Sequence, residues 1–320
     1  MKMRKILQFI ILICMLMVTE VKGQQTPQFS QYLFNGVVIN PAYAGSKEYV
    51  NFNGLYRKQW AGIDNSPSTQ TISADGPLRR NFSWGAFFNN DLIGFQRTTA
   101  LYGALSYRIM TSKKSRLAFG VSCGVAQYQL NGVKLVTDQP DDPAVPESKI
   151  TVWTPDARVG LYFNTARFFA GISLWEILSG PIVNNSLIAD PSTHFYLSSG
   201  FALPLSGSFV LRPSFLVKED FKGPTNADLT AFLIFRNRIW LGSSYRTRIL
   251  NKDRISEGYI TQAKDAIAIM LEVFPLENLR IGYSYDISTN VLKKYPTHEI
   301  SLGYFIIPKT QEGMLTPRYF

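Results

Sequence analysis

From Tyr49 onward the dominant pattern is alternation with a period of two. Phe82, Trp84, Ala86 and Phe88 interleave with Ser83, Gly85, Phe87 and Asn89. Between Phe95 and Ile109 one face reads Leu101, Leu105, Tyr107 and Ile109, and the other Ala100, Tyr102, Ala104 and Ser106. Ala157, Val159, Leu161 and Phe163 oppose Asp156, Arg158, Gly160 and Tyr162. Near the end, Leu279, Ile281, Tyr283, Tyr285 and Ile287 oppose Arg280, Gly282, Ser284, Asp286 and Ser288. Successive side chains of a strand point to opposite sides, so each segment has one greasy face and one polar or small face.

The alternation predicts about fourteen strands, each long enough to cross a bilayer at a tilt. Their spans are 49–57, 67–76, 82–90, 94–109, 115–130, 154–164, 167–175, 193–203, 207–218, 225–236, 238–249, 261–273, 278–289 and 297–307. Ser173–Leu178 reads as able to close with one helical turn before Gly180 and Pro181. Tight turns such as Asn164-Thr165-Ala166 and Arg236-Asn237-Arg238 alternate with longer links, the longest running from Asn131 to Trp153. Tight turns on one side and long loops on the other are the layout of an outer-membrane barrel, and an even strand number returns both chain ends to one side. Downstream of the leader no apolar run is long enough for a spanning helix. Open sheet edges cannot face lipid, so the fold class expected is all-β: a closed antiparallel transmembrane β-barrel, lipid-facing on its apolar positions. Soluble exported β-sandwiches show similar alternation and are the competing architecture.

Lys2, Arg4 and Lys5 followed by the apolar run Ile6–Val18 and the small-residue site Val21-Lys22-Gly23 read as a secretory signal peptide cut before Gln24. An uncleaved anchor is the alternative. No Cys follows the cut, which leaves a lipid anchor unsupported. The domains expected are thus a signal peptide (1–23), a periplasmic or plug-like segment (24–48), a barrel (49–307) and a tail (308–320). Cys14 leaves with the leader and Cys123 remains alone in an alternating run, where it reads as a packed small residue. With no disulfide possible, a large core or a membrane must hold the exported chain together.

Composition agrees with a barrel: aromatic residues reach 13% and charged residues only 18%. The net charge of +10 falls by three when the leader goes, since Lys2, Arg4, Lys5 and Lys22 outweigh Glu20. The remaining surplus is scattered at strand ends such as Arg79-Arg80 and Lys293-Lys294, which suits lipid headgroups or soluble turns and not a nucleic-acid stripe.

Candidate chemistry is sparse. The only histidines are His194 and His298. A barrel-face hydrolase needs a His beside an activated Ser, and His298 and Ser301 have opposite parity on one strand. His194 could meet a Ser on another strand, but nothing in the sequence selects one, and both histidines read as interfacial residues. Asp138, Asp141, Asp142 and Glu147 form an acidic loop able to hold calcium in principle, but its spacing fits no EF-hand, and solvated acidity is the simpler reading. No catalytic residue, cofactor-binding residue or metal site is assigned.

One block does not read as strand. Gln25-Thr26-Pro27-Gln28-Phe29-Ser30-Gln31-Tyr32-Leu33-Phe34-Asn35 leads into Asn40-Pro41-Ala42-Tyr43-Ala44-Gly45, and Tyr56-Arg57-Lys58-Gln59-Trp60-Ala61-Gly62 follows. It is too polar and irregular for a membrane strand and too aromatic for a mere tether. It resembles the opening of the PorP/SprF family, outer-membrane proteins of the type IX secretion and gliding machinery of Bacteroidetes. Beyond Trp60 the likeness is one of length and strand rhythm. The matching residues are Pro27, Phe29, Ser30, Gln31, Tyr32, Asn35, Asn40, Pro41, Ala42, Tyr43, Ala44, Gly45, Arg57, Gln59 and Trp60.

The resemblance implies a non-enzymatic barrel needed for export or surface attachment of a secreted adhesin through its C-terminal sorting domain. The partners implied are that adhesin, other type IX secretion or gliding components and outer-membrane lipid. A transport barrel for small or hydrophobic solutes is the rival, and what separates them is the lumen. The same residues are expected to contact a partner, to plug the barrel or to lie along its periplasmic mouth.

Overall fold

A computed structural model describes residues 28–132, 148–178, 191–221, 225–249 and 264–308. Fourteen staves form one sheet: β1 (Val50–Lys58), β2 (Ser68–Arg79), β3 (Phe82–Ile93), β4 (Gln96–Ser112), β5 (Ser115–Asn131), β6 (Lys149–Thr165) and β7 (Phe168–Trp175). Then come β8 (His194–Phe201, continued by Leu203–Pro204), β9 (Phe209–Glu219), β10 (Thr225–Phe235), β11 (Ile239–Ile249), β12 (Lys264–Leu276), β13 (Leu279–Ser288) and β14 (Thr297–Ile306). Each pairs antiparallel with its sequence neighbour. The ring closes where β1 meets β14, from Val50 opposite Ile306 to Lys58 opposite His298. Closure joins the first strand to the last and so removes the two terminal edges of the sheet, as a wall bathed in hydrocarbon requires. Among the described residues no helix is long and apolar enough to cross a membrane.

The alternation sorts the two faces. On β4, Leu101 and Leu105 are 58% and 53% exposed, while Ala100, Tyr102, Ala104 and Ser106 are buried. Outward aromatic residues cluster beside the tight turns, with Phe82 and Tyr107 ring centroids 5.0 Å apart and Phe209 and Phe235 at the same separation. Tyr283, Tyr285 and His298 form a second outward group at the other end, His298 Nδ1 lying 2.8 Å from Tyr283 Oη. Outward aromatic residues near both ends of the wall are what membrane interfaces select.

Differences from the sequence reading are local. β6 begins at Lys149, inside the stretch expected to be a long link, because Ile150 to Thr154 continue the ladder with β5. With β7 it pairs only over Val159–Asn164. Ile177 N–H donates to Ala157 O, so odd-numbered β6 residues aim their backbone groups at that side. Pro155 thus places its missing N–H along the unpaired stretch, a device that discourages adventitious strand pairing. The helical turn expected within Ser173–Leu178 is absent, since Phe168–Trp175 stays strand to its end and Ile177-Leu178 form a simple turn. Cys123 is exposed on the outward face and not packed inside the protein, because it shares parity with Val121 and Val125.

An arginine replacing Leu101 is expected to destabilise the barrel by about 2–4 kcal/mol, the cost of a cation near the bilayer midplane. Urea titration of folding into lipid vesicles measures it; a cost near zero would remove lipid from that face.

Candidate functional site

Residues 28–49 lie inside the ring, touching inward side chains on nearly every side. They form a 3-10 turn (Tyr32–Phe34), the short helix α1 (Gly36–Ile39) and a second 3-10 turn (Pro41–Tyr43). Gln28 lines a cavity at the loop-bearing mouth together with Gln59 and Asn290. Tyr49 packs at a tilt against Phe305 near the tight turns, with centroids 5.3 Å apart. The segment therefore threads the lumen from the loop end to the tight-turn end before β1 begins.

A buried ionic knot holds its start. The Glu299 carboxylate accepts from Ser30 N (3.0 Å) and Gln31 N (2.7 Å), and Gln31 Nε2 donates to Glu299 O at 3.1 Å. Arg57 bridges Glu299 and Asp286, each at 2.9 Å. Ser30 Oγ donates to Asp286 at 2.6 Å, and Ser301 Oγ donates to Gln31 Oε1. Two carboxylates and one guanidinium buried alone would leave excess negative charge, and the segment's N–H and O–H donors complete their solvation.

The middle is held by shape. Phe34 packs edge-on to Phe232 at 5.5 Å and beneath the Arg280 guanidinium at 4.4 Å, while Glu272 pairs with Arg280 at 2.5 Å. Asn35 Oδ1 accepts from Ser73 Oγ at 2.5 Å. Ser173 Oγ and Trp175 Nε1 both donate to Ile39 O, at 2.7 and 2.8 Å. Asn40 caps the second turn through Ala42 N (2.9 Å) and reaches the wall itself, donating to Leu161 O at 2.9 Å and Ile172 O at 3.0 Å. Pro41 fits the first position of that turn because its fixed φ suits it and no N–H is needed there.

This close approach depends on glycines in the wall. A Cβ at Gly120 would collide with the Ala42 backbone, and one at Gly160 with the Asn40 side chain. Ala42 and Ala44 are fully buried, and Tyr43 stacks edge-on with Tyr162 at 5.4 Å. Gly45 takes φ 68°, which an L side chain resists, and donates its N–H to Asp75 at 2.9 Å. Each aliphatic or aromatic side chain buried here contributes about 1.5–3 kcal/mol, against about 1–2 kcal/mol per residue for fixing the backbone.

Of the residues singled out in sequence, Phe29, Ser30, Gln31, Tyr32, Asn35, Asn40 to Gly45 and Arg57 come together in the lumen, all buried or glycine. Gln59 and Trp60 stand apart in the β1–β2 link at the loop-bearing mouth, half-buried. Pro27 and the acidic loop 138–147 lie outside the described residues. Sequence reasoning missed the receiving groups: Glu299, Asp286, Asp75, Gly120 and Gly160. Their signal was a charged or absent side chain at inward parity among small polar neighbours. His194 also departs from expectation. It is 5% exposed and turned inward, not interfacial, with Nδ1 2.8 Å from Glu176 Oε2 and 2.6 Å from Ser192 O. His298 and Ser301 do face opposite sides of the wall.

A closed, lipid-girdled ring of antiparallel strands with a polar interior defines an outer-membrane β-barrel. The chain matches the family described as type IX secretion system membrane protein PorP/SprF over residues 21–304, and it belongs to that family. The solved structures to which it is similar include the following outer-membrane barrels. Omp33 of Acinetobacter baumannii has 8% identity and TM-score 0.44, covering 82% of this chain and 100% of that one. A Pseudomonas aeruginosa FadL homologue has 11% and 0.45, covering 89% and 96%. BamA of Haemophilus ducreyi lacking POTRA domains 1-3 has 10% and 0.47, covering 80% and 70%. At these values the likeness carries no functional argument. No curated protein matches the chain.

Gly120→Val is expected to cost about 1–3 kcal/mol by overpacking and to expose residues 28–49 to limited proteolysis while the strands stay protected. Arg57→Ala, which strands two buried carboxylates, should cost about 3–5 kcal/mol in urea unfolding. Wild-type protease resistance of the segment in the Gly120 variant would show that its seat on the wall is not what holds it.

Proposed function

We propose that this barrel is a non-enzymatic docking component of the type IX secretion system, serving export or surface attachment of a secreted adhesin through that protein's C-terminal sorting domain, with a part in gliding motility. The observation that carries the reading is the occupied lumen. Residues 28–49 take the space a solute pathway would need, and they are tied to the wall by buried ion pairs and backbone hydrogen bonds. A pore gains nothing from such an internal ligand; a docking barrel gains a rigid platform whose free surfaces are its loops and its two mouths. Family membership supplies the secretion system. The outer-membrane location follows an N-terminal signal peptide removed before Gln24. Gln59 and Trp60, at the loop-bearing mouth, are the family-motif residues placed to touch a partner, and the buried ones act by plugging the barrel.

A clean deletion strain tests this. Surface display of one or a few adhesins should be lost, with bulk secretion surviving if the barrel serves a dedicated partner and collapsing if it is a core component. Alanine at His194 or His298 should leave display intact. Planar-bilayer recordings of the purified protein should show no steady conductance, and mass spectrometry of the mature chain should begin at Gln24. Normal display together with lost uptake of a solute would favour a transport barrel instead.

A further inference from the structure

Above the threaded segment, at the loop-bearing mouth, the lumen keeps a cavity of about 380 Å3. That lies within the range of ligand sites, about 300–1,000 Å3. Phe29 and Val38 form its floor, Tyr102, Tyr128 and Trp175 its walls, and Trp60 stands at its rim. Trp60 holds φ 48°, a left-handed conformation that bulky residues avoid unless the surroundings enforce it. Its backbone is fixed by Thr297 Oγ1, which accepts from Trp60 N at 3.2 Å, and by Ala61 N donating to Pro296 O at 2.7 Å.

The charges around this cavity do not balance. Arg158 lies between the rings of Tyr102 and Trp175, its guanidinium 3.8 and 3.9 Å from their centroids, and Asp156 neutralises it through Nε at 3.3 Å. The wall therefore already holds one guanidinium between aromatic faces. Asp91 is 6% exposed and lines both this cavity and a smaller one of about 110 Å3 on the far side of Trp60. It accepts a hydrogen bond from Thr69 Oγ1 at 2.5 Å, and among the described residues no cation pairs with it. Glu176 adds a second carboxylate, shared with His194. The three arginines of the smaller cavity do not compensate: Arg57 is committed to Asp286 and Glu299, Arg246 to Asp228, and Arg248 makes no ion pair with Asp91. A buried carboxylate without a cation is costly, and aromatic faces beside one are the surroundings that bind a cation.

We propose that this cavity receives a lysine or arginine side chain, presented by a segment of a partner protein entering from the loop-bearing mouth. Asp91 is its counter-ion, and Tyr128 and Trp60 supply its aromatic faces. The identity of the partner rests on the docking role proposed above; the chemistry of the site does not.

The test uses the full-length barrel in detergent, titrated with capped tetrapeptides that differ at one position: lysine, norleucine or glutamate. Binding is read by calorimetry and by tryptophan fluorescence. The lysine peptide should bind about tenfold more tightly than norleucine, and glutamate more weakly than either. Asp91→Asn, which keeps an acceptor for Thr69, should erase the lysine preference while retaining norleucine binding and heat-modifiable migration. Equal binding of lysine and norleucine, a preference for glutamate, no saturable binding, or an unchanged preference in Asp91→Asn would each overturn the site. In cells, Asp91→Asn should lower display of the exported partner at normal barrel levels. Unchanged display alongside lysine-selective binding would overturn the secreted partner as occupant, whatever the deletion strain shows.

Discussion

Hydrocarbon offers the backbone no hydrogen-bonding partner, and the architecture follows from that constraint. Strands must pair on both sides, so fourteen of them close into a ring in which β1 pairs with β14. Closure forces polar residues inward, and the interior becomes a place where charges are desolvated by protein. Arg57, Asp286, Glu299, Arg280 and Glu272 are all nearly inaccessible. Such a cluster persists only when its lone pairs and protons find partners. The segment from Ser30 to Gly45 supplies many of them: two backbone N–H groups and a hydroxyl to Glu299 and Asp286, and the Gly45 N–H to Asp75. The wall and its contents are in this sense one folding unit. A barrel stripped of residues 28–49 would leave Glu299, Asp286 and Asp75 without these donors and facing a void.

Two mechanisms bind the segment, and they divide its length. Near the loop end the grip is electrostatic, through carboxylates that accept from backbone amides. From Asn40 to Gly45 it is steric, through glycines that let the chain press against the wall and through Asn40 bonded to carbonyls of both β6 and β7. The first is sensitive to charge and the second to volume. Together they fix register, since sliding the chain by one residue would misplace both the amides and the small residues at once.

The strands were legible because their faces meet such different surroundings. Leu101 against Tyr102, or Ile281 against Asp286, are contrasts that lipid and lumen both enforce. β6 ran further toward its loop than expected because Pro155 and the polar residues near it resemble a link, while β5 beside them still offers a ladder. Cys123 faces outward although its run alternates like a packed one, because alternation says that two faces differ, not which one is covered by protein. The same ambiguity affected His194, whose inward turn depends on β8 joining the ring beside β7. The distinctive block from Pro27 to Trp60 marked the segment, yet local sequence could not reveal its receptors. Ser30 meets Glu299 across 269 positions, a pairing that only ring closure creates.

The loop-bearing mouth differs from the rest of the interior in one respect that bears on function. Deeper in the lumen, carboxylates find arginines or the segment's own donors, and the aromatic rings pack against one another. At the mouth, Trp60 is held in a left-handed backbone conformation, Asp91 faces open space, and aromatic faces line a cavity the segment does not fill. Phe29, at the start of the described segment, is part of the lining of this volume. Below that level carboxylates such as Glu299, Glu272 and Asp75 are met by arginines or by the segment's own donors. Asp91 has no cation among the described residues, and that contrast is what the proposed cationic side chain would resolve.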